Sequence, residues 1–140
     1  MPTVRLTKRV QFSAAHRLYN PELSDEENRR LYGKCANPGG HGHNYTLEVS
    51  VEGETDPRTG MVVNFAALEQ TIRAEVLEHF DHKDLNAGVE PMRGLIPTAE
   101  NIAVAIWGCL EPKVAPGRLV EVKVAETESN IAVYRGRGAD

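Results

Sequence analysis

The chain has 140 residues, 41% of them hydrophobic and 26% charged, which suits one folded domain spanning residues 1–140. Its formal net charge of −4 leaves no broad basic field, so nucleic acid and anionic membranes are excluded as expected partners. No stretch of the sequence reaches signal-peptide or membrane length in apolar residues, and the expected location is the cytoplasm.

In chain order, residues 3–16 alternate. Val4, Leu6, Val10, Phe12, Ala14 and His16 share one parity, broken by Lys8, and this predicts a strand with one buried face. Ser24, followed three residues later by Glu27, is a capping-box signal for a short helix. A second strand is expected from about His43, with His41, His43, Tyr45, Leu47, Val49 and Val51 in one phase. "ETDPRTGMVVNF" reads as a turn leading through an extended piece. "NFAALEQTIRAEVLEHF" carries Phe65, Leu68, Ile72, Val76 and Phe80 at helical spacing. A second long helix begins at "TAENIAVAIWGCL", with Thr98 placed to cap it and Pro112 to stop it. "RLVEVKVAET" alternates again, and "SN" joins it to "IAVYRG" as a hairpin. The order β-β-α-α-β-β predicts an α+β fold, a four-stranded antiparallel sheet with two helices packed on one face. So small a sheet leaves two edges, which invites pairing with further copies.

The chemistry-bearing residues cluster by parity. If the first two strands pair, His16, His41 and His43 project from the apolar face at neighbouring strand ends. Three neutral imidazoles with an open fourth position are the ligand set of a catalytic zinc site. A lone histidine on an apolar face is more often a satisfied core residue, but a His-Gly-His in phase with a third histidine favours the ligand reading over that alternative. An iron-binding cupin would also use His-x-His; Glu48 has the wrong parity for its carboxylate ligand, and the late strands hold no histidine.

Cys35 lies six residues before His41 in the loop "CANPGG". A thiol in a Gly/Pro loop beside a cation is in a setting that favours thiolate, whereas Cys109, within a helix, reads as a small hydrophobe or an inert surface thiol. Asp81 beside His82 can form a carboxylate–imidazole proton relay, the alternative being a solvated helix end, which is also the reading for His79. Glu126 continues the parity of Val120, Val122 and Val124. A carboxylate there needs a strong donor, such as the paired N–H groups of a cyclic amidine or guanidine, unless the strand has ended and it is solvated.

Together, "FSAAHRL", "LSDEEN", "GKCANPGGHGHNY", "DPRTGMV", "FDHKDL", "TAENIAV", "VKVAETESN" and "NIAVYRG" resemble the 6-pyruvoyltetrahydropterin synthase family over nearly the whole chain. The resemblance implies zinc on His16, His41 and His43, Cys35 as catalytic base, and Asp81 with His82 as its relay. It implies Glu126 as the pterin anchor, with Thr98 and Glu100 lining the pocket. The implied fold is the tunnelling fold, assembled as a hexamer of two trimers with active sites built between subunits. The implied reaction converts 7,8-dihydroneopterin triphosphate to 6-pyruvoyltetrahydropterin with release of triphosphate, a lyase step of tetrahydrobiopterin-type biosynthesis. Lys8, Arg9, Arg17 and Lys34 flank the constellation in sequence and are candidate cations for the triphosphate, a solvated surface position being the equal alternative for each.

Phe80 stands where the family usually has leucine, and "PGG" replaces "PNG". A sister enzyme, 6-carboxytetrahydropterin synthase of deazapurine biosynthesis, typically spaces its cysteine as C-x3-HGH. Here Cys35 and His41 enclose five residues, which matches the pyruvoyl enzyme. A further subfamily carries glutamate in place of the cysteine. A zinc-containing pterin-binding or scaffold protein is the non-enzymatic alternative.

Overall fold

A computed structural model describes residues 2–138. Strands β1 (Thr3–His16) and β2 (His41–Glu54) form a long antiparallel ribbon in unbroken register from Thr3 opposite Glu54 to His16 opposite His41. Because side chains alternate along each strand, that register stacks Val10 on Leu47 and Phe12 on Tyr45 on one face. The opposite face carries polar pairs instead: Arg5 with Glu52, Thr7 with Ser50, and Arg9 with Glu48.

Strand β4 (Arg118–Ala125) pairs antiparallel with β2, and β5 (Ile131–Tyr134) pairs antiparallel with β4. The β2–β4 ladder slips between Ser50 and Val51, so that Leu119, not Val120, faces Val51. This bulge puts Leu119, Val122 and Val124 together in the core. Val120, Val122 and Val124 are all buried as their alternation predicts, but the bulge at Val120 gives the place opposite Val51 to Leu119.

The expectation of four antiparallel strands is corrected too. A two-residue strand β3 (Lys83–Asp84) runs parallel to β1 beside Ala14 and Ala15, making a mixed five-stranded sheet of order β3-β1-β2-β4-β5. It is held by the His82 amide donating to the Ser13 carbonyl at 2.6 Å and the Leu85 amide to the Ala15 carbonyl at 2.8 Å. Two residues are too few to leave a period in the sequence.

The helices cover one face of the sheet. Helix α1 (Asp25–Tyr32) starts with the complete Ser24–Glu27 capping box, and a tight turn, Gly33–Ala36, carries Cys35 out of it. The run expected as one helix is α2 (Phe65–Ile72), a wider π turn (Arg73–Leu77) and a last short piece, α3 (Glu78–Phe80). Leu68, Ile72, Val76 and Phe80 are buried as their spacing requires, while Phe65, on the first turn, stays half exposed. Helix α4 (Ala99–Leu110) is capped by Thr98, whose hydroxyl accepts from the Asn101 amide, and it ends just before Pro112. Its Ile102, Ala103, Ile106 and Leu110 complete the core between α2 and β4. No helix among the described residues is long and apolar enough to cross a membrane.

Candidate functional site

His16 is the last residue of β1 and His41 the first of β2, and the ribbon register sets them opposite each other. His43, two residues on, shares their face with Tyr45. The three expected imidazoles thus converge. The ring centroids lie 4.6 Å (His16–His41), 5.0 Å (His16–His43) and 4.8 Å (His41–His43) apart.

The tautomer of His16 follows from its partners. Its Nδ1 stands 2.7 Å from the Pro97 carbonyl oxygen, which can only accept, so Nδ1 carries the proton and Nε2 presents a lone pair. The Tyr45 hydroxyl, 3.2 Å from the same Nδ1, is a second acceptor. His16 Nε2 faces His41 Nε2 at 3.0 Å, and among the described residues the buried His43 Nε2 has no hydrogen-bond partner. Burial lowers the pKa values of His16 and His43 from the ordinary imidazole value, which favours the neutral form that ligation uses.

One nitrogen from each ring falls within 4.8 Å of the others, so the cluster can hold a metal ion. Tetrahedral zinc–nitrogen bonds of about 2.0–2.1 Å would set such nitrogens roughly 3.3 Å apart. The orphaned His43 nitrogen, the inward lone pair of His16 and its fixed outer hydrogen bond all fit that use.

Glu126 lies just past β4, where its amide donates to the Asn130 carbonyl to close the β4–β5 turn. Its Oε1 stands 3.6 Å from His16 Nε2 and 3.9 Å from His43 Nε2, and its side chain is 19% exposed. It lines a cavity of about 690 Å³ together with Thr98 and Glu100 at the start of α4 and with β5. Glu126 and the Thr98–Glu100 segment, distant in sequence, are thus brought to one cavity, which Glu126 links to the histidine cluster. The carboxylate also adds to the effect of burial in raising the Tyr45 phenol above its ordinary range.

Cys35 is half-buried in its turn, and its carbonyl accepts from the Leu18 amide at 2.8 Å. Asp81 and His82 form the expected pair, with Asp81 Oδ1 3.0 Å from His82 Nδ1. The same oxygen accepts from the Ser13 amide at 2.9 Å, and that bond chiefly holds the Asp81 carboxyl below the usual carboxylate range. His82 has a left-handed backbone, φ 61°, and its side chain is 81% exposed. The pair sits beside β3 at the sheet edge; among the described residues, no hydrogen bond joins it to Cys35. Cys109 is a half-buried thiol whose pKa is raised by burial, in line with a packing role.

Sequence reasoning missed Pro97 and did not weigh Tyr45 as part of the site. Tyr45 carried a usable signal, since it shares the parity of His43. The Pro97 carbonyl carried none, because a backbone acceptor has no residue-type signature.

Fold and site together define a member of the 6-pyruvoyl tetrahydropterin synthase family, whose model matches residues 5–137; the chain belongs to it. Over 132 residues it is 48% identical to the human 6-pyruvoyl tetrahydrobiopterin synthase, covering 94% of this chain and 91% of that protein. The Drosophila melanogaster 6-pyruvoyl tetrahydrobiopterin synthase is 47% identical over 136 residues, 96% of this chain and 81% of that one. The structure of the Caenorhabditis elegans 6-pyruvoyl tetrahydropterin synthase matches with a TM-score of 0.92 and 40% identity, covering 97% of both chains. The expected tunnelling fold is borne out by that likeness, with the sheet corrected as above.

Proposed function

We propose that the protein is a zinc-dependent enzyme converting 7,8-dihydroneopterin triphosphate to 6-pyruvoyltetrahydropterin and triphosphate, with residues 1–140 acting as one synthase domain. The observation that carries this reading is the contact of Glu126 with the three-imidazole cluster at a cavity shared with Thr98 and Glu100. The chemistry needs a pterin anchor next to a Lewis acid, and that juxtaposition supplies both.

Zinc held by His16, His41 and His43 would supply Lewis acidity beside the hydroxyls of the substrate side chain. Glu126 accepts the two parallel N–H groups of the pterin's cyclic guanidine edge, a bidentate charged pairing that fixes the ring in register. Thr98 and Glu100 wall the pocket. Cys35 as thiolate takes a proton from a side-chain carbon, and His82, oriented by Asp81, returns one. Triphosphate leaves as the side chain becomes a diketone and the dihydro ring becomes tetrahydro. The redox change is internal and needs no external oxidant.

Assembly belongs to this reading. Glu126 serves a cavity walled by β5, while the exposed Asp81–His82 pair sits at the opposite, β3 edge of the sheet. His82 also lines a concavity with His43 of its own chain; what supports a hexamer with sites between subunits is the family likeness together with the two unpaired sheet edges. The proposed location is the cytoplasm.

The test is the product formed by purified zinc-loaded protein from 7,8-dihydroneopterin triphosphate, identified by mass. The expected products are 6-pyruvoyltetrahydropterin and triphosphate. Predominant 6-carboxytetrahydropterin with acetaldehyde would assign the sister activity and defeat the loop-length argument. Tight binding without turnover would make the protein a pterin binder. Cys35→Ala should bind substrate yet lose most turnover, because a base acts in the transition state more than in the ground state.

A further inference from the structure

The loop carrying Cys35 is docked at both ends onto His16, the last residue of β1, and the two residues after it, Arg17 and Leu18. At its start, the Leu18 amide donates to the Cys35 carbonyl at 2.8 Å, and Arg17 Nε donates to the Ala36 carbonyl at 2.8 Å. At its end, Gly40 has φ +68°, and a Cβ there would stand 3.0 Å from the His16 carbonyl oxygen and 3.9 Å from Arg17 Cβ. The loop thus closes against the backbone of His16 where only glycine fits.

Arg17 is itself held from three sides. The Asn86 side chain grips its backbone like a neighbouring strand, with Oδ1 accepting from the Arg17 amide at 2.7 Å and Nδ2 donating to the Arg17 carbonyl at 2.8 Å. Its guanidinium lies over the Tyr19 ring, 3.9 Å from the centroid. A planar guanidinium can stack on a ring and donate through Nε in one rotamer; a lysine ammonium cannot do both.

We propose that Arg17, clamped by Asn86, is a positioning residue that docks the Cys35 turn onto the end of β1 and so fixes the thiol relative to His16. The docking rests on the contacts above; its catalytic consequence rests on the reading of Cys35 as the base. The clamp explains why Arg17 and Asn86, 69 residues apart, are joined twice. The side-chain contacts give Arg17 work that a triphosphate grip would not require, since Nε and one face of the guanidinium are already engaged within the chain.

The experiment uses the zinc-loaded protein and three variants, Arg17→Met, Arg17→Lys and Asn86→Ala, read by hydrogen exchange and steady-state kinetics. The Leu18 amide reports the docking directly. In all three variants it should exchange about tenfold faster or more, while the β1–β2 ladder keeps its protection, since such openings are local. The kcat should fall about tenfold or more with KM little changed, because a displaced base costs rate more than binding. Arg17→Met combined with Asn86→Ala should lose no more than the worse single variant, as expected of two residues acting through one chain of contacts.

Unchanged Leu18 exchange in Arg17→Met overturns the docking. A raised KM with unchanged kcat also overturns the proposal and makes Arg17 a substrate-binding cation. Faster exchange with undiminished kcat overturns the catalytic consequence, and Cys35→Ala then locates the error. If that variant keeps turnover, the reading of Cys35 as base has failed; if it loses turnover, the positioning claim alone has failed.

Discussion

A buried imidazole nitrogen without a partner, as at His43, is costly unless something occupies it. Replacing His43 by alanine removes one of three candidate ligands and should leave the core folded, since Val10, Phe12, Leu47 and Ile106 belong to a hydrophobic cluster that does not include His43. Elemental analysis should therefore find about one zinc per wild-type chain and far less in His43→Ala, with unchanged circular dichroism. A folded, active wild type free of metal would sink the assignment. Asp81 gives a pH signature. Its carboxyl is held low by the Ser13 amide, so the folded state prefers it ionised more than the unfolded chain does. Its contribution to stability is complete above the ordinary carboxylate value of 3.8 and is lost as pH falls through the lower folded value. Asp81→Asn keeps an acceptor for Ser13 but cannot titrate. The melting temperature of the metal-free variant should decline less steeply with acid below pH 3.8 than that of the wild type. Equal slopes would remove Asp81 from the account.

Helix α4 links stability to the site. Thr98 caps it through the Asn101 amide at 3.2 Å, and the Asn101 side chain donates back to the Ile96 carbonyl at 2.9 Å. Between them lies Pro97, whose carbonyl orients His16. Thr98→Ala should cost about 1 kcal/mol of stability, measured by denaturant titration, and Thr98→Ser should restore most of it. Because the helix start and the His16 acceptor are one segment, Thr98→Ala should also weaken metal binding in competition with a chelator. If stability falls and metal affinity does not, the segment transmits nothing to the histidine. The bulge near Val120 acts similarly on β4: by adding one residue before Glu121 it restores the phase that carries Val122 and Val124 into the core and points toward Glu126.

At the scale of the molecule, the sheet ends in two edges of different character. The β3 edge is two residues long, while β5 presents Ile131 and Val133, 49% and 46% exposed. Exposed apolar side chains on an unpaired strand favour a partner copy. Light scattering should give a hexamer mass at micromolar protein, and Val133→Asp should give smaller species; a monomeric wild type would refute the assembly. If active sites span subunits, mixing inactive Cys35→Ala and His82→Ala proteins through dissociation and reassembly should restore part of the activity. No recovery from a mixed hexamer would mean that each chain supplies its own relay.

Local rules made much of this legible before any coordinates. A period of two placed His16, His41 and His43 on one face with Phe12 and Tyr45, and capping chemistry marked Ser24 and Thr98. These signals act over a few residues, so a sequence carries them openly. What the tertiary structure decided lies at long separation. The Pro97 carbonyl reaches His16 across 81 residues, Ser13 holds Asp81 across 68, and Asn86 clamps Arg17 across 69. The two-residue β3, the π turn after Ile72 and the slip before Glu121 are likewise responses to neighbouring elements. Backbone acceptors and one-residue adjustments leave no pattern of residue types, so only packing the whole chain could place Glu126 against the histidines and the Asp81–His82 pair beside the end of β1.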